Sequence, residues 1–177
     1  WQVPIYVKVG ATRTYYDVKL AVQAGADVVV VDGMQGGTAA TQDVFIEHVG
    51  IPTLAAIPQA VEALQELGVH REVQLIVSGG IRNGADVAKA IALGADAVAI
   101  GTAALIDLGD NHPRYQEEYQ KLGSAAGFYD DFQEGKDPAG ITTQDPELSK
   151  RLDPVAAGKR LANYLRVLTL EAQTLAR

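Results

Sequence analysis

Apolar positions gather into four short runs, at residues 4–9, 28–31, 73–77 and 97–100, each ending at glycine or at a polar residue followed by glycine. Runs of this length, rich in β-branched residues and without polar alternation, predict strands buried on both faces. Between them apolar residues recur at helical spacing over 15–24, 59–67 and 84–93. Strand and helix in strict alternation, joined by right-handed crossovers, predict a parallel sheet.

Two stretches nearly repeat. Residues 21–27 read Ala-Val-Gln-Ala-Gly-Ala-Asp and residues 90–96 read Ala-Ile-Ala-Leu-Gly-Ala-Asp, each leading into an apolar strand. Gly25 and Gly94 stand where a left-handed residue stops a helix. Repetition of one unit favours a closed (β/α)8 barrel over an open, doubly wound sheet. Four units are half of what such a barrel requires, and a half barrel has two open edges. With Trp1 entering a strand almost at once, we expect a piece of something larger: the C-terminal half of a barrel whose other half lies elsewhere or on another subunit.

Beyond residue 108 the character changes. Residues 109–146 are rich in Gly, Asp, Pro and aromatics, with a short helix predicted over 114–122. Asp153-Pro154 then supplies an N-cap followed by proline at the first helical position. Leu161, Leu165, Leu168, Ala172 and Leu175 recur at helical spacing behind it, which predicts an amphipathic helix with a buried leucine stripe. The organisation read from this pattern is four βα units over 1–108 and a C-terminal loop layer with a packing helix over 109–177, within one domain.

Composition narrows the function. The 177 residues are 47% hydrophobic and 21% charged, ordinary for a globular chain. A net charge of −7 and no basic run argue against nucleic acid and anionic membranes as partners. No cysteine is present, which excludes disulfides, thiolate catalysis and cysteine-ligated clusters on this chain. No signal peptide and no membrane-spanning run is visible, so a cytoplasmic location is expected. His48, His70 and His112 have no metal-ligand spacing and read as surface residues, and no metal is expected.

The strongest chemical signal is Ser78-Gly79-Gly80-Ile81-Arg82-Asn83-Gly84 followed by Ala99-Ile100-Gly101-Thr102. Loops after the last two strands of a barrel sit side by side and offer backbone N–H groups and a helix N-terminus to a phosphate. Glycine there lets a dianion reach the amides. A Gly-Gly pair also makes a plain tight turn, but two such loops on successive units favour a ligand. Lys8 ends the first strand and points into the barrel mouth, where it needs an anionic partner or else stays solvated. The Asp32-Gly33-Met34-Gln35-Gly36-Gly37-Thr38 loop lets backbone pass close to a flat ligand, with Gln35 and Thr38 offering neutral hydrogen bonds. Asp32 itself reads equally as a capping or structural carboxylate.

On these residues the chain resembles the FMN-binding synthase domain of glutamate synthases, and within that group the glutamate-synthase-like proteins that include the N-methylglutamate synthase large subunit. The similar stretches are 7–9, 32–38, 78–84, 94–102 and 140–148. The Gly-Gly and Gly-Thr loops recur in many FMN barrels; the Asp-Gly-x-x-Gly-Gly-Thr loop and the Thr-Gln-Asp-Pro-Glu-Leu run are far more specific. The resemblance implies an FMN-dependent oxidoreductase that reductively aminates a 2-oxo acid, 2-oxoglutarate, with ammonia or methylamine. It implies catalytic roles for Lys8 and Gln35. It implies cofactor contacts by Lys8, Gly36, Gly37, Thr38, Ser78, Gly79, Gly80, Gly101 and Thr102, and partners in the missing barrel half or other subunits. A cation such as Lys8 beside the N1 and O2 edge stabilises a reduced, anionic flavin ring. One departure is large: the family's three cluster-ligating cysteines correspond here to Ala126, Phe132 and Asp137, which cannot hold iron. Two other readings remain, a non-catalytic phosphate-binding half barrel and another FMN barrel oxidoreductase. The second lacks the histidine base of the hydroxy acid oxidases and the cysteine nucleophile of the inosine-phosphate dehydrogenases.

Overall fold

The computed structural model describes residues 2–34, 48–122 and 135–177. These divide into two compact units: one holds the described residues up to Gly101 together with 170–177, the other residues 102–169.

The first unit is a four-stranded parallel sheet in sequential order, β1 (Tyr6–Gly10), β2 (Val28–Asp32), β3 (Gln74–Ser78) and β4 (Ala97–Ala99). Helices α1 (Thr14–Gln23), α2 (Thr53–Glu66) and α3 (Gly84–Ala92) connect them. All three helices cover the same face. Val29, Val31, Leu75 and Val77 of the sheet form one core with Val18 and Ala21 of α1, Ala56, Ile57, Ala60, Ala63 and Leu64 of α2, and Ala90 of α3. Sequential strand order with helices on one face is the winding of a (β/α)8 barrel, as expected; a doubly wound sheet reverses its order and carries helices on both faces.

The face away from the helices carries Tyr6, Lys8 and Gly10, then Val28, Val30 and Asp32, then Gln74, Ile76 and Ser78, then Ala97 and Ala99, because in-register partners of parallel strands point the same way. Here the expectation of strands buried on both faces holds only in part. β2 is largely buried, whereas β1 leaves Tyr6 exposed and Lys8 in solvent. A second layer is what would bury this face.

The repeated Gly-Ala-Asp stretch has a definite geometry. Gly25 and Gly94 have φ of 95° and 114°. Their N–H groups donate to Val22 and Ile91, and the following Ala26 and Ala95 donate to Ala21 and Ala90. This is the paired hydrogen-bond closure of a Schellman turn. The aspartate then ties the next strand to its neighbour. Asp27 N donates to Ile5 O while Ile5 N donates to Asp27 Oδ2 at 2.7 Å. Asp96 N donates to Leu75 O while Leu75 N donates to Asp96 Oδ2 at 2.8 Å. Partial burial opposes the charge of Asp96, but the Leu75 amide and the Arg71 guanidinium outweigh it and hold the carboxyl below its usual range. Helix α2 begins at Thr53, earlier than the apolar spacing suggested. It runs through Pro58, in its second turn, which removes the donor that would otherwise bond Leu54 O.

The second unit comprises α4 (Thr102–Leu108), a 3-10 turn (Pro113–Tyr115), α5 (Gln116–Lys121), α6 (Pro146–Ser149) and most of α7 (Pro154–Leu175). The expected helix over 114–122 is the 3-10 turn and α5 in succession. Its anchor is Asp137, fully buried. Asp137 accepts from the Tyr119 hydroxyl at 2.9 Å and from the amides of Ala139, Ile141 and Thr142. Burial, with the neighbouring Asp137 charge, pushes the Asp110 carboxyl up. Asp153 caps α7 through the amides of Val155 and Ala156, as its sequence indicated. The leucine stripe of α7 is a correction: Leu168 is buried, but Leu165 and Leu175 are exposed, since a repeat at helical spacing defines an apolar face without supplying anything to cover it.

Two outcomes follow for stability. A Cβ on Gly33 would lie 1.8 Å from Thr53 Oγ1 and 2.5 Å from its backbone N, so Gly33→Ala should cost about 1–3 kcal/mol or more, read as a lower urea midpoint. For Asp96 the folded pKa lies below the unfolded one, so its contribution is present above roughly pH 4 and is lost as pH falls through the folded value. Asp96→Asn should therefore destabilise at pH 7 and show a flatter loss of stability between about pH 5 and 2 than the parent, followed by urea titration at each pH.

Candidate functional site

The parallel register sets four residues level at the C-terminal end of the sheet: Gly10, Asp32, Ser78 and Ala99. One step below lie Lys8, Val30, Ile76 and Ala97 on the same face. Three polar side chains meet there. Lys8 Nζ stands 2.8 Å from Asp32 Oδ2, and the Ser78 hydroxyl donates to Asp32 Oδ1 at 2.6 Å. Lys8 is 57% exposed and Asp32 17%, so the lysine keeps donors free on the open face while the carboxylate sits in the wall. Gly10 leaves room beside them, with nothing within 4 Å of a Cβ placed on it.

Above this row the chain leaves β3 and β4 through glycines. Gly79 and Gly80 have φ of 98° and 77°, a left-handed pair that L side chains rarely adopt. Because Ser78 pairs with Ala99, Gly80 and Gly101 follow at equal distances from the ends of adjacent strands, which run about 4.8 Å apart. Gly80 and Gly101 are exposed, and a Cβ on Gly101 meets nothing within 4 Å. Among the described residues, the N–H groups of Gly79, Gly80 and Gly101 have no backbone or side-chain acceptor. Exposed amides at the ends of neighbouring strands can accept an anion. Thr102 opens α4 directly after Gly101.

The geometry beneath this loop comes from Thr53, at the start of α2. Its hydroxyl lies 3.0 Å from Ser78 O and 2.7 Å from Gly79 O, and Gly33 N donates to Ser78 O at 2.9 Å. The N-terminus of α3, by contrast, is occupied by the protein's own groups. Gly84 N donates to Glu171 Oε2 at 2.7 Å, Asp86 N to the Asn83 side chain and Arg82 N to Asp86 Oδ2.

Of the residues singled out from sequence, Lys8, Ser78, Gly79, Gly80 and Gly101 thus lie at one end of the sheet. Gln35, Gly36, Gly37 and Thr38 fall outside the described residues, as do Ala126 and Phe132. The third cluster-equivalent position, Asp137, has both oxygens engaged in hydrogen bonds. His48 and His112 are exposed, but His70 is half-buried, and its Nε2 is shut from solvent without a hydrogen-bond partner. Among the described residues no group of three or more His, Cys, Asp or Glu could hold a metal, and no helix is long and apolar enough to cross a membrane. Sequence reading missed Asp32 as a centre of the cluster and Thr53 as its support. The available signal was that Lys8 lies on the first strand and Asp32 closes the second; that they meet depended on the register.

Comparison with known proteins agrees with the motifs. The family model described as a conserved region in glutamate synthase matches residues 1–115 and 133–177. A glutamate synthase large subunit-like protein of Rhizobium meliloti is 78% identical over 177 residues, all of this chain and 40% of that protein. The archaeal-type glutamate synthase [NADPH] of Thermotoga maritima is 44% identical over 94% of this chain and 30% of its own length. The archaeal glutamate synthase [NADPH] of Methanocaldococcus jannaschii is 42% identical over 99% of this chain and 31% of its own. The chain therefore spans less than half the length of these relatives. With the matched region covering nearly every residue, including both glycine turns and the strands that carry Lys8, Asp32 and Ser78, the chain belongs to the glutamate synthase family.

Proposed function

We propose that this chain is the phosphate-gripping half of an FMN-dependent synthase barrel, acting in reductive amination of 2-oxoglutarate to glutamate or an N-alkylglutamate. The observation that carries the reading is the pair of exposed glycine turns at level strand ends, with amides that donate to no described acceptor. A phosphate dianion needs several such donors and tolerates no Cβ between them. The relatives named as NADPH-dependent glutamate synthases supply the reaction class.

FMN, when bound, supplies two-electron hydride chemistry that no side chain offers. The residues of this chain hold and orient. Gly79, Gly80, Gly101 and Thr102 would take the phosphate. Lys8 offers its free ammonium donors on the open face, where they suit the electron-rich edge of a ring or the carboxylate of an oxo acid. Gln35, Gly36, Gly37 and Thr38 would line the substrate side. A 2-oxo acid and an amine are the expected small-molecule partners, and the barrel's other half, on the same or another chain, would close the site.

The intact protein should show the visible spectrum of a bound flavin near one per chain, released as FMN on denaturation. Gly80→Leu, which puts a branched side chain at φ 77° in front of the amides, should reduce the retained flavin to less than about a tenth while leaving far-UV circular dichroism unchanged. Flavin retained at parent stoichiometry would remove the phosphate assignment.

A further inference from the structure

Asp32 has no place in the reading above, yet among the described residues it is the group that both Lys8 and Ser78 touch. Its two oxygens are divided between them, Oδ2 to the Lys8 ammonium at 2.8 Å and Oδ1 to the Ser78 hydroxyl at 2.6 Å. Register explains the meeting. Lys8 is level with Val30, one inward row below Asp32, and Gly10, level with Asp32 on the neighbouring strand, has no side chain to block the lysine stem from reaching up. Ser78 is level with Asp32 on the other side. The backbone of Ser78 is held in turn by Gly33 N and the Thr53 hydroxyl.

We propose that Asp32 is a positioning residue that assigns the hydrogen-bonding sense of its two neighbours. A carboxylate is an acceptor only, so the single Ser78 proton is committed to Asp32. Ser78, itself buried in the sheet, then has only lone pairs to offer a ligand group that reaches it. That makes it an acceptor for an N–H, such as the imide of a flavin ring or the nitrogen of an amine substrate, and unsuited to a phosphate oxygen, which needs a donor. The Lys8 ammonium spends one donor on Asp32 and is fixed over the open face with the others free, so it takes an acceptor: a carbonyl or a carboxylate. Asp32 thereby sets a donor beside an acceptor on one wall, a pattern that orients a ligand carrying the complementary pair.

The inference rests on the flavin reading, and its test separates the two. In the intact protein, flavin content, absorption spectrum, kcat and KM are measured for Lys8→Met, Asp32→Asn, the double variant, Asp32→Glu and Ser78→Ala. Asn at 32 is isosteric and still accepts from Ser78, but its amide nitrogen cannot hold an ammonium. The expected result is parent flavin stoichiometry throughout, at least a tenfold fall in kcat for Asp32→Asn, and a double variant no slower than Lys8→Met alone. Asp32→Glu should restore part of the rate, and the flavin band of Asp32→Asn should shift in the same direction as that of Lys8→Met. Losses that multiply in the double variant, or an Asp32→Asn enzyme at parent kcat, overturn the positioning role while leaving the flavin reading intact. Loss of flavin in Ser78→Ala alone shows the hydroxyl gripping phosphate and overturns its acceptor role. A parent protein without flavin overturns both readings together.

Discussion

The ladder of parallel hydrogen bonds among β1, β2, β3 and β4 is the constraint on which everything else in the first unit rests. It is a register with no slip from one strand to the next, so strand ends are level and inward residues form rows. The one-residue alternation of a strand then divides the sheet cleanly. Val29, Val31, Leu75 and Val77 go to the helices, and Lys8, Asp32 and Ser78 go to the other side. A shift of a single residue in β1 or β2 would turn Lys8 or Asp32 toward the helices and place a charge in the core.

That register is secured at its entry as well as by its ladder. Each Gly-Ala-Asp turn stops a helix with a left-handed glycine, buries the alanine against the core and uses the aspartate to receive an amide from the neighbouring strand. The same device at Asp27 and Asp96 begins β2 and β4. The connection after α2 has the helix stop alone: Gly68 at φ 71° with the Gly68-to-Gln65 and Val69-to-Leu64 bonds.

At that end the chemistry is one of allocation. The amide at the start of α3 is engaged by Glu171, whereas the turn amides of Gly79, Gly80 and Gly101 donate to no described acceptor. With one N-terminus filled by the protein's own carboxylate, the adjacent glycine amides are the position left for the proposed phosphate. Asp32 allocates in the same way among side chains, by taking one donor from each neighbour. Both arrangements are built from groups that come from distant parts of the chain: Gly84 and Glu171 lie 87 residues apart, and Asp32 and Ser78 lie 46 apart.

The sequence by itself determined the elements, the parallel winding and the glycine turns, because these are local: apolar runs, helix stops and left-handed residues are written in a few adjacent positions, and repetition at 21–27 and 90–96 exposed the unit. It put Lys8 at the close of the first strand, whereas β1 runs on to Gly10 and leaves Lys8 at its middle, one row below the strand ends. Only the tertiary structure decided that Asp32, read as a cap or a structural carboxylate, is the partner of Lys8 and Ser78, that Glu171 closes the start of α3, and that Leu165 and Leu175 of the α7 stripe stay exposed. Pairing between residues far apart depends on register and on what covers a face, and neither is encoded in the periodicity of a single segment.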